Sequence, residues 1–540
     1  MRDGKLFLPA SESLSRMSNL VTDIAETAEA TPTATAVGFH EQEFTYEQFW
    51  EQTGQFARAL ADAGVEPGDR VALYLPNLPQ FVTAFFGTLT AGGIVVPMNP
   101  QYKSREISHL LADSGAEVVV SLVNLVPQVV EVQEDTDVHT IVSVAGNMDG
   151  ATTFDDFLAD ETLPVQDRAD DDVAVQPYTS GTTGQPKGVL LTHRNLAFDA
   201  RASAKLHDGI RADDKMLGVL PLFHIYGMTI TMIATLFEGG SYWPMSQWDA
   251  EAALELVESE GITLMHGVPA MYNDIINTPG AEAYDLSSVR FANSGGASIP
   301  IEVLETFQST FDVDLFEGYG LTETAPVTHA NRPGDNRPGS IGKPIPGVES
   351  MVVDNEFDEL DPVPEGPVDD ETELDDVVGE LVVHGPNVME GYYELPEANE
   401  AAFTDIDGTR WFHTGDLGYH DEDGFFYVVD REKHMIVTGG YNVYPREVEE
   451  LLFEHENVAD AAVVGIPDER RGETVKAFIV PTPDAEATPE DIKQYCLNNL
   501  AEYKHPREVA FVDELPTSGP SKIDRSAVKR EFGATGTKDN

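Results

Sequence analysis

Between residue 45 and about residue 350, segments with apolar residues at helical spacing alternate with short apolar runs. Residues 45–64 put Phe49, Phe56 and Leu60 on one helical face and stop at Gly64. Residues 71–75, 118–123, 174–178, 216–220 and 262–265 read as strands, each bounded by turn residues or charge. Such alternation restricts the fold to helices layered on largely parallel sheets. No repeat with a period of 20–50 residues is apparent. Two long stretches carry no charge, 71–102 and 216–237, and each has the length of a membrane span. Pro76, Pro79, Pro97 and Pro100 interrupt the first, and Pro221 and His224 the second, so both read as buried helix–strand segments.

The pattern then changes. Residues 354–378 hold 12 acidic side chains and three prolines in 25 positions and read as a solvated loop. Residues 379–384 and 424–430 look like strands of a smaller β unit. A charge shift marks the last boundary: residues 1–430 carry 19 basic and 73 acidic residues, net −54, and residues 431–540 carry 14 and 21, net −7. Within the tail, helices are expected at 447–453 and 490–500 and strands at 461–465 and 475–480. The expected architecture is α/β: a large N-terminal domain (1–430) of layered α/β subdomains plus a small β-barrel-like unit, then a small α+β domain (431–540).

Composition limits the partners. The 540 residues include 33 basic and 94 acidic ones, a formal charge of −61, yet 41% are hydrophobic, with 26 Phe and 17 Tyr, so cores can form. Nucleic acid and anionic membranes both require a basic footprint that is missing. Like charge on this scale strains a compact chain in dilute buffer, whereas at 1 M salt the Debye length is only about 3 Å. The reading is a halophilic, cytoplasmic enzyme; a polyacidic cation buffer is disfavoured because the acids are dispersed. The single cysteine, Cys496, allows no intramolecular disulfide and no cysteine-rich zinc site, and no secretory signal is visible at the N-terminus.

Four motifs carry chemistry. After a predicted strand, Thr179, Ser180, Gly181, Thr182, Thr183, Gly184, Lys187 and Gly188 combine glycines that free backbone N–H groups, hydroxyl donors and one ammonium, a phosphate cradle. It is no Walker A loop, because Pro186-Lys187-Gly188 stands where Gly-Lys-Ser/Thr is needed. This loop resembles the signature of the adenylate-forming enzymes: acyl-CoA synthetases, luciferase-like enzymes and peptide-synthetase adenylation domains. Gly318-Tyr319-Gly320-Leu321-Thr322-Glu323-Thr324 flanks an aromatic with glycines and offers a Thr–Glu pair suited to Mg²⁺. The resemblance implies that Tyr319 stacks on adenine beside Gly320, and that Thr322 and Glu323 meet phosphate and metal. Asp416, in Thr414-Gly415-Asp416-Leu417, could accept both ribose hydroxyls. The resemblance adds Arg431 as a second ribose contact and Lys433 as the pivot of a mobile C-terminal domain. Lys522 matches the family's catalytic lysine for adenylation, although Ser521 stands where a glycine is usual.

The same resemblance places His224 at the acyl tunnel, Gly296 and Ala297 along the adenine and acyl pockets, and Gly439 and Gly440 facing coenzyme A. It spans roughly residues 20–530, with the motifs in family order. It implies ATP, Mg²⁺ and coenzyme A, and conversion of a carboxylic acid to acyl-AMP and then acyl-CoA. Acetate-specific relatives carry a tryptophan where Gly320 stands, so a larger acid is expected, a medium- or long-chain fatty acid first. An aryl acid of coumarate type is the alternative. Amino-acid-activating relatives place an aspartate near Phe223–His224, and none stands between Pro221 and Thr229. Transfer to a carrier protein, and a non-catalytic nucleotide-binding module, remain as other readings, although the module sits poorly with the presence of Lys522 and Glu323. The expected partners are small molecules, with the oligomeric state open between monomer and homodimer.

Overall fold

The computed structural model describes residues 19–179, 186–368, 377–431, 434–438, 441–468, 471–482, 485, 487–500, 503–518 and 522–532. The chain divides into two compact units. The first comprises Met1–Pro338, Pro344–Glu349 and Val383–Phe412; the second comprises Gly339–Lys343, Ser350–Val382 and His413–Asn540.

The first unit is built on two large, mainly parallel sheets. In one, Leu315–Gly320, Phe291–Ser294, Leu264–Gly267, Lys215–Gly218, Ser241–Pro244 and Thr35–Phe39 lie side by side in parallel. In the other, Val173–Val175, Ile94–Pro97, Arg70–Tyr74, Val118–Leu122 and Thr140–Val144 do the same. The helix foreseen over 45–64 runs Tyr46–Asp62, and Thr45 and Gln48 close a reciprocal capping box at its start, worth about 1 kcal/mol. Its apolar face is fully packed, with Phe49, Phe56 and Leu60 at most 2% exposed; burying each such side chain stabilises by roughly 1.5–3 kcal/mol. The first uncharged stretch is a strand, the buried helix Pro79–Thr90 and the strand Ile94–Pro97. No helix among the described residues is long and apolar enough to cross a membrane.

Two local readings change. The run over 174–178 is not one strand: Val173–Val175 ends before Gln176-Pro177, and Tyr178–Thr179 pairs separately with Lys187–Thr192. Pro177 has no N–H for a ladder, and the buried Gln176 side chain instead takes Arg70 Nε at 3.3 Å and donates to the Tyr178 hydroxyl at 3.0 Å. The second uncharged stretch contains all but the first residue of the strand Lys215–Gly218 and then a π-helix, Tyr226–Ile233. Gly227 permits it, since a Cβ there would lie 2.4 Å from the Pro221 carbonyl oxygen. Helices of this pitch are rare and concentrate at functional sites.

Four histidines of this unit are buried: His193, His207, His266 and His329. Burial holds their pKa values down, to about 4, 4, 3 and 3 respectively. All four therefore fold neutral, while the unfolded chain protonates near pH 6.5. The stability they contribute is present above that value and is lost as pH falls toward 4, each by up to about 1.4 kcal/mol per pH unit. Scanning calorimetry in molar KCl should show the melting temperature falling between pH 7 and pH 5, the four histidines outweighing the opposite contribution of Glu449 and Asp199, whose carboxyls burial pushes up. A melting temperature that holds or rises over that interval would contradict this.

In the second unit, Phe426–Arg431 pairs antiparallel with residues 416–420 of Thr409–His420, and Tyr419 stacks on Tyr427 at 4.8 Å over a small core with Val363 and Phe425. Farther along, Gly472–Pro481 lies between Ile436–Thr438 and Val458–Asp468, with Glu508–Phe511 parallel beside it. The strand period sorts side chains cleanly. Ala461, Val463, Val475 and Ala477 pack against Val448 and Leu452 of the helix Pro445–Phe453 and Ile492 and Cys496 of Pro489–Asn499. Ala462, Val464 and Phe478 meet Val528 and Phe532 of Arg525–Phe532. Cys496 is a packing residue whose thiol burial pushes up to about 12.

Candidate active site

Lys187 opens the strand Lys187–Thr192 and stands opposite Thr179 in antiparallel register. The rest of that motif, Ser180, Gly181, Thr182, Thr183 and Gly184, lies outside the described residues. On its other edge the strand pairs with Gly391–Tyr392, in the register Val189↔Tyr392. A residue opposite Val189 lies diagonally from Lys187 on the same face, and the Lys187 ammonium sits 4.8 Å from the centre of the Tyr392 ring.

Tyr319 and Gly320 end the strand Leu315–Gly320, and Thr322–Thr324 forms the turn that follows. A Cβ at Gly320 would fall 1.9 Å from the Pro326 carbonyl oxygen. In this backbone a side chain at Gly320 would meet that carbonyl, so the glycine also answers a local close approach. Tyr319 pairs with His329, ring to ring at 5.9 Å. Thr324 fastens the turn, its hydroxyl donating to the Pro326 carbonyl at 2.5 Å and accepting from Leu321 N at 3.0 Å. A distant segment braces it: Asn387 donates to the carbonyls of Thr324 and Val327, each at 2.9 Å, and Met389 N donates to Glu323 O at 2.8 Å. Asn195 in turn holds that segment through the carbonyls of Pro386 and Val388, at 2.8 and 2.9 Å. The Glu323 carboxylate accepts the Tyr392 hydroxyl at Oε1, 2.9 Å away. Lys187 and Glu323, 136 positions apart in sequence, thus converge on one tyrosine.

The donor set suits Mg²⁺. Glu323 offers a second carboxylate oxygen to which no described residue donates, and no cluster of three His, Cys, Asp or Glu side chains competes as a closed metal site among the described residues. Magnesium is usually held by one or two carboxylates together with substrate phosphates.

His224 is exposed and precedes the π-helix, its Nδ1 accepting Tyr226 N at 3.2 Å. Tyr226, whose hydroxyl lies 3.2 Å from His266 Nδ1, packs against Gly295, where a Cβ would approach its ring to 3.0 Å. Gly296, at φ +79°, and Ala297 are exposed just past the end of Phe291–Ser294. Ligands of open parallel sheets bind at the carboxyl ends of strands, and Tyr319, Gly320, Gly296 and Ala297 all occupy such ends.

In the second unit, Gly415 takes the left-handed φ of +69° and Asp416, buried, stands in register opposite Arg431. Thr414 Oγ1 accepts Asp416 N at 3.1 Å and donates to Leu381 O at 2.6 Å. Lys433, Gly439 and Gly440 lie outside the described residues, as do the side chains of Arg431 and Lys522. The backbone at Lys522 pairs with Ser518. Three residues on, Arg525 is fixed by an ion pair to Glu449 and lies 3.4 Å from His434 Nδ1.

Parallel layers that gather a glycine-flanked tyrosine, a carboxylate and a lysine at strand ends define a nucleotide-using α/β enzyme. The chain belongs to the AMP-binding enzyme family: residues 24–393 match that family, and residues 447–522 match the AMP-binding enzyme C-terminal domain. It is 36% identical to a long-chain-fatty-acid–CoA ligase of Bacillus subtilis (strain 168), covering 94% of this chain and 93% of that protein. It is 38% identical to a feruloyl-CoA synthase of Amycolatopsis sp, over 94% and 97% respectively. Among solved structures it resembles the anthranilate CoA ligase AuaEII in complex with anthranoyl-AMP, at a TM-score of 0.87 and 27% identity over 97% of this chain and 98% of that one. ATP-bound MatB from Rhodopseudomonas palustris superposes at 0.85 with 27% identity, over 96% and 99%.

Sequence reasoning passed over Tyr392, Asn387 and Asn195. The one available signal was the Gly385-Pro386-Asn387 cluster after a predicted strand, which says turn and not what the turn supports.

Proposed function

We propose that this enzyme, an AMP-forming acid–CoA ligase, activates a medium- or long-chain fatty acid. The observation that carries the reading is the 36% identity, across nearly the whole of both chains, to a long-chain-fatty-acid–CoA ligase. The apolar segment after His224 agrees with it: Met228, Ile230, Met232 and Ile233 of the π-helix are buried, and no carboxylate stands between Pro221 and Thr229 to pair an ammonium. An aryl acid is the second reading, favoured by the feruloyl-CoA synthase relative and by the Tyr226–His266 polar pair beside Gly295.

A carboxylate oxygen attacks the α-phosphorus of ATP, and pyrophosphate leaves. The thiol of coenzyme A then attacks the acyl carbonyl, loses its proton and expels AMP. Two anions must meet in the first step, so positioned charge and N–H donors carry the catalysis, with no protein nucleophile. Lys187 and the 179–184 loop bind phosphate, Tyr319 and Gly320 hold adenine, and Asp416 with Arg431 takes the ribose. Lys522 bridges the carboxylate and the α-phosphate. Thr322 and Glu323 would hold Mg²⁺, which when bound neutralises phosphate charge. His224, Gly296 and Ala297 border the acyl group, and Gly439 and Gly440 face coenzyme A, brought round as residues 431–540 turn about Lys433. The protein works in a salty cytoplasm.

ATP–pyrophosphate exchange in molar KCl, across fatty, aryl and amino acids and with or without coenzyme A, tests this. Exchange confined to fatty acids, with thioester formed on adding coenzyme A, is expected. Exchange confined to aryl acids would move the assignment to the second reading. Exchange without thioester would replace coenzyme A by a carrier protein, and no exchange with any acid would defeat the enzyme reading.

A further inference from the structure

We infer that Tyr392 is a positioning residue that couples the phosphate-binding lysine to the metal-binding carboxylate. The inference rests on the proposed roles of Lys187 and Glu323 and adds a residue between them. Tyr392 uses two faces of opposite polarity. Its hydroxyl donates to Glu323 Oε1 at 2.9 Å, and its ring face lies 4.8 Å from the Lys187 ammonium. The negative face of an aromatic ring attracts a cation, while the hydroxyl hydrogen is drawn to a carboxylate. One rigid side chain with two rotatable bonds thus fixes a cation and an anion that would otherwise be free to pair directly and leave the phosphate site.

The backbone holds Tyr392 to this task. Antiparallel pairing with Val189 fixes its height along the strand that begins at Lys187. Asn399 closes the other side, its Oδ1 accepting Tyr392 N at 2.6 Å and its Nδ2 donating to Tyr392 O at 2.9 Å. Met389 N on Glu323 O ties the same segment to the carboxylate's own backbone. With Oε1 accepting the Tyr392 hydroxyl, the carboxylate is held in one orientation, and Oε2 takes no hydrogen bond from any described residue.

The test is calorimetric binding of ATP, with and without Mg²⁺, to the full-length protein in molar KCl. Tyr392→Phe keeps the ring beside Lys187 and removes only the hydroxyl. It should leave ATP binding without Mg²⁺ within about twofold of wild type and weaken the Mg²⁺-dependent gain in affinity about tenfold, as expected for a hydrogen bond to a charged group. Tyr392→Ala should lose affinity in both conditions. Glu323→Gln should remove the Mg²⁺-dependent gain, and adding Tyr392→Phe to it should change nothing further. A Tyr392→Phe protein with the wild-type Mg²⁺ response, or additive losses in the double variant, would overturn the inference. A wild-type protein that binds no ATP with Mg²⁺ present would instead defeat the functional reading on which it rests.

Discussion

Lys522→Ala is expected to lower acyl-AMP formation by about 10²–10³-fold while leaving thioester formation from supplied acyl-AMP near the wild-type rate. The first half-reaction brings a carboxylate onto a polyphosphate, and an ammonium is the group best able to offset both charges at once. The second half-reaction, a thiol attacking an activated acyl group, has no such need. Lys522 lies on a short strand paired with Thr517–Ser518, and the Arg525–Glu449 ion pair anchors the chain three residues later. The substitution removes an ammonium without touching that anchor, so the fold should survive. Pyrophosphate exchange and single-turnover thioester formation measured on one preparation separate the two steps. Equal loss in both would sink the assignment.

The second large effect concerns salt. Activity should rise by an order of magnitude or more between about 0.1 M and 2 M KCl, with the KM for ATP falling in parallel. A chain of formal charge −61 must admit a polyanion. Screening shortens the Debye length from about 10 Å at 0.1 M to about 3 Å at 1 M, which removes long-range repulsion and spares groups in contact. Contacts such as Tyr392 to Glu323 and Lys187 over the Tyr392 ring should therefore persist at high salt. Steady-state kinetics across a KCl series, with melting curves to separate unfolding from binding, check this. Activity maximal in dilute buffer would contradict it.

The elements of the fold were legible where local patterning decides them. Phe49, Phe56 and Leu60 mark a helix because three or four residues make a turn, and the short unbroken apolar run at 461–464 marks a strand, whose two faces both prove buried. The π-helix at Tyr226–Ile233 was not legible: the close approach of the Pro221 carbonyl to Gly227 that accompanies it is a contact no periodicity encodes. Gly320 shows a different limit. Its identity was read as a statement about the acid, and the structure adds a second reason for glycine there, the close Pro326 carbonyl.

By itself, the sequence determined the layered α/β architecture and the enzyme family, and it nominated the residues of a candidate site, since glycine spacing, hydroxyls and scarce lysines are local chemistry written in order. The meeting of Lys187 with Glu323 across the Tyr392 ring, and the bracing of the Thr322–Thr324 turn by Asn387 and Asn195, were decided only by tertiary structure. The physical reason is that hydrogen bonds and ring contacts reach a few ångströms in space, while the partners they join here stand from 63 to about 200 residues apart in the chain.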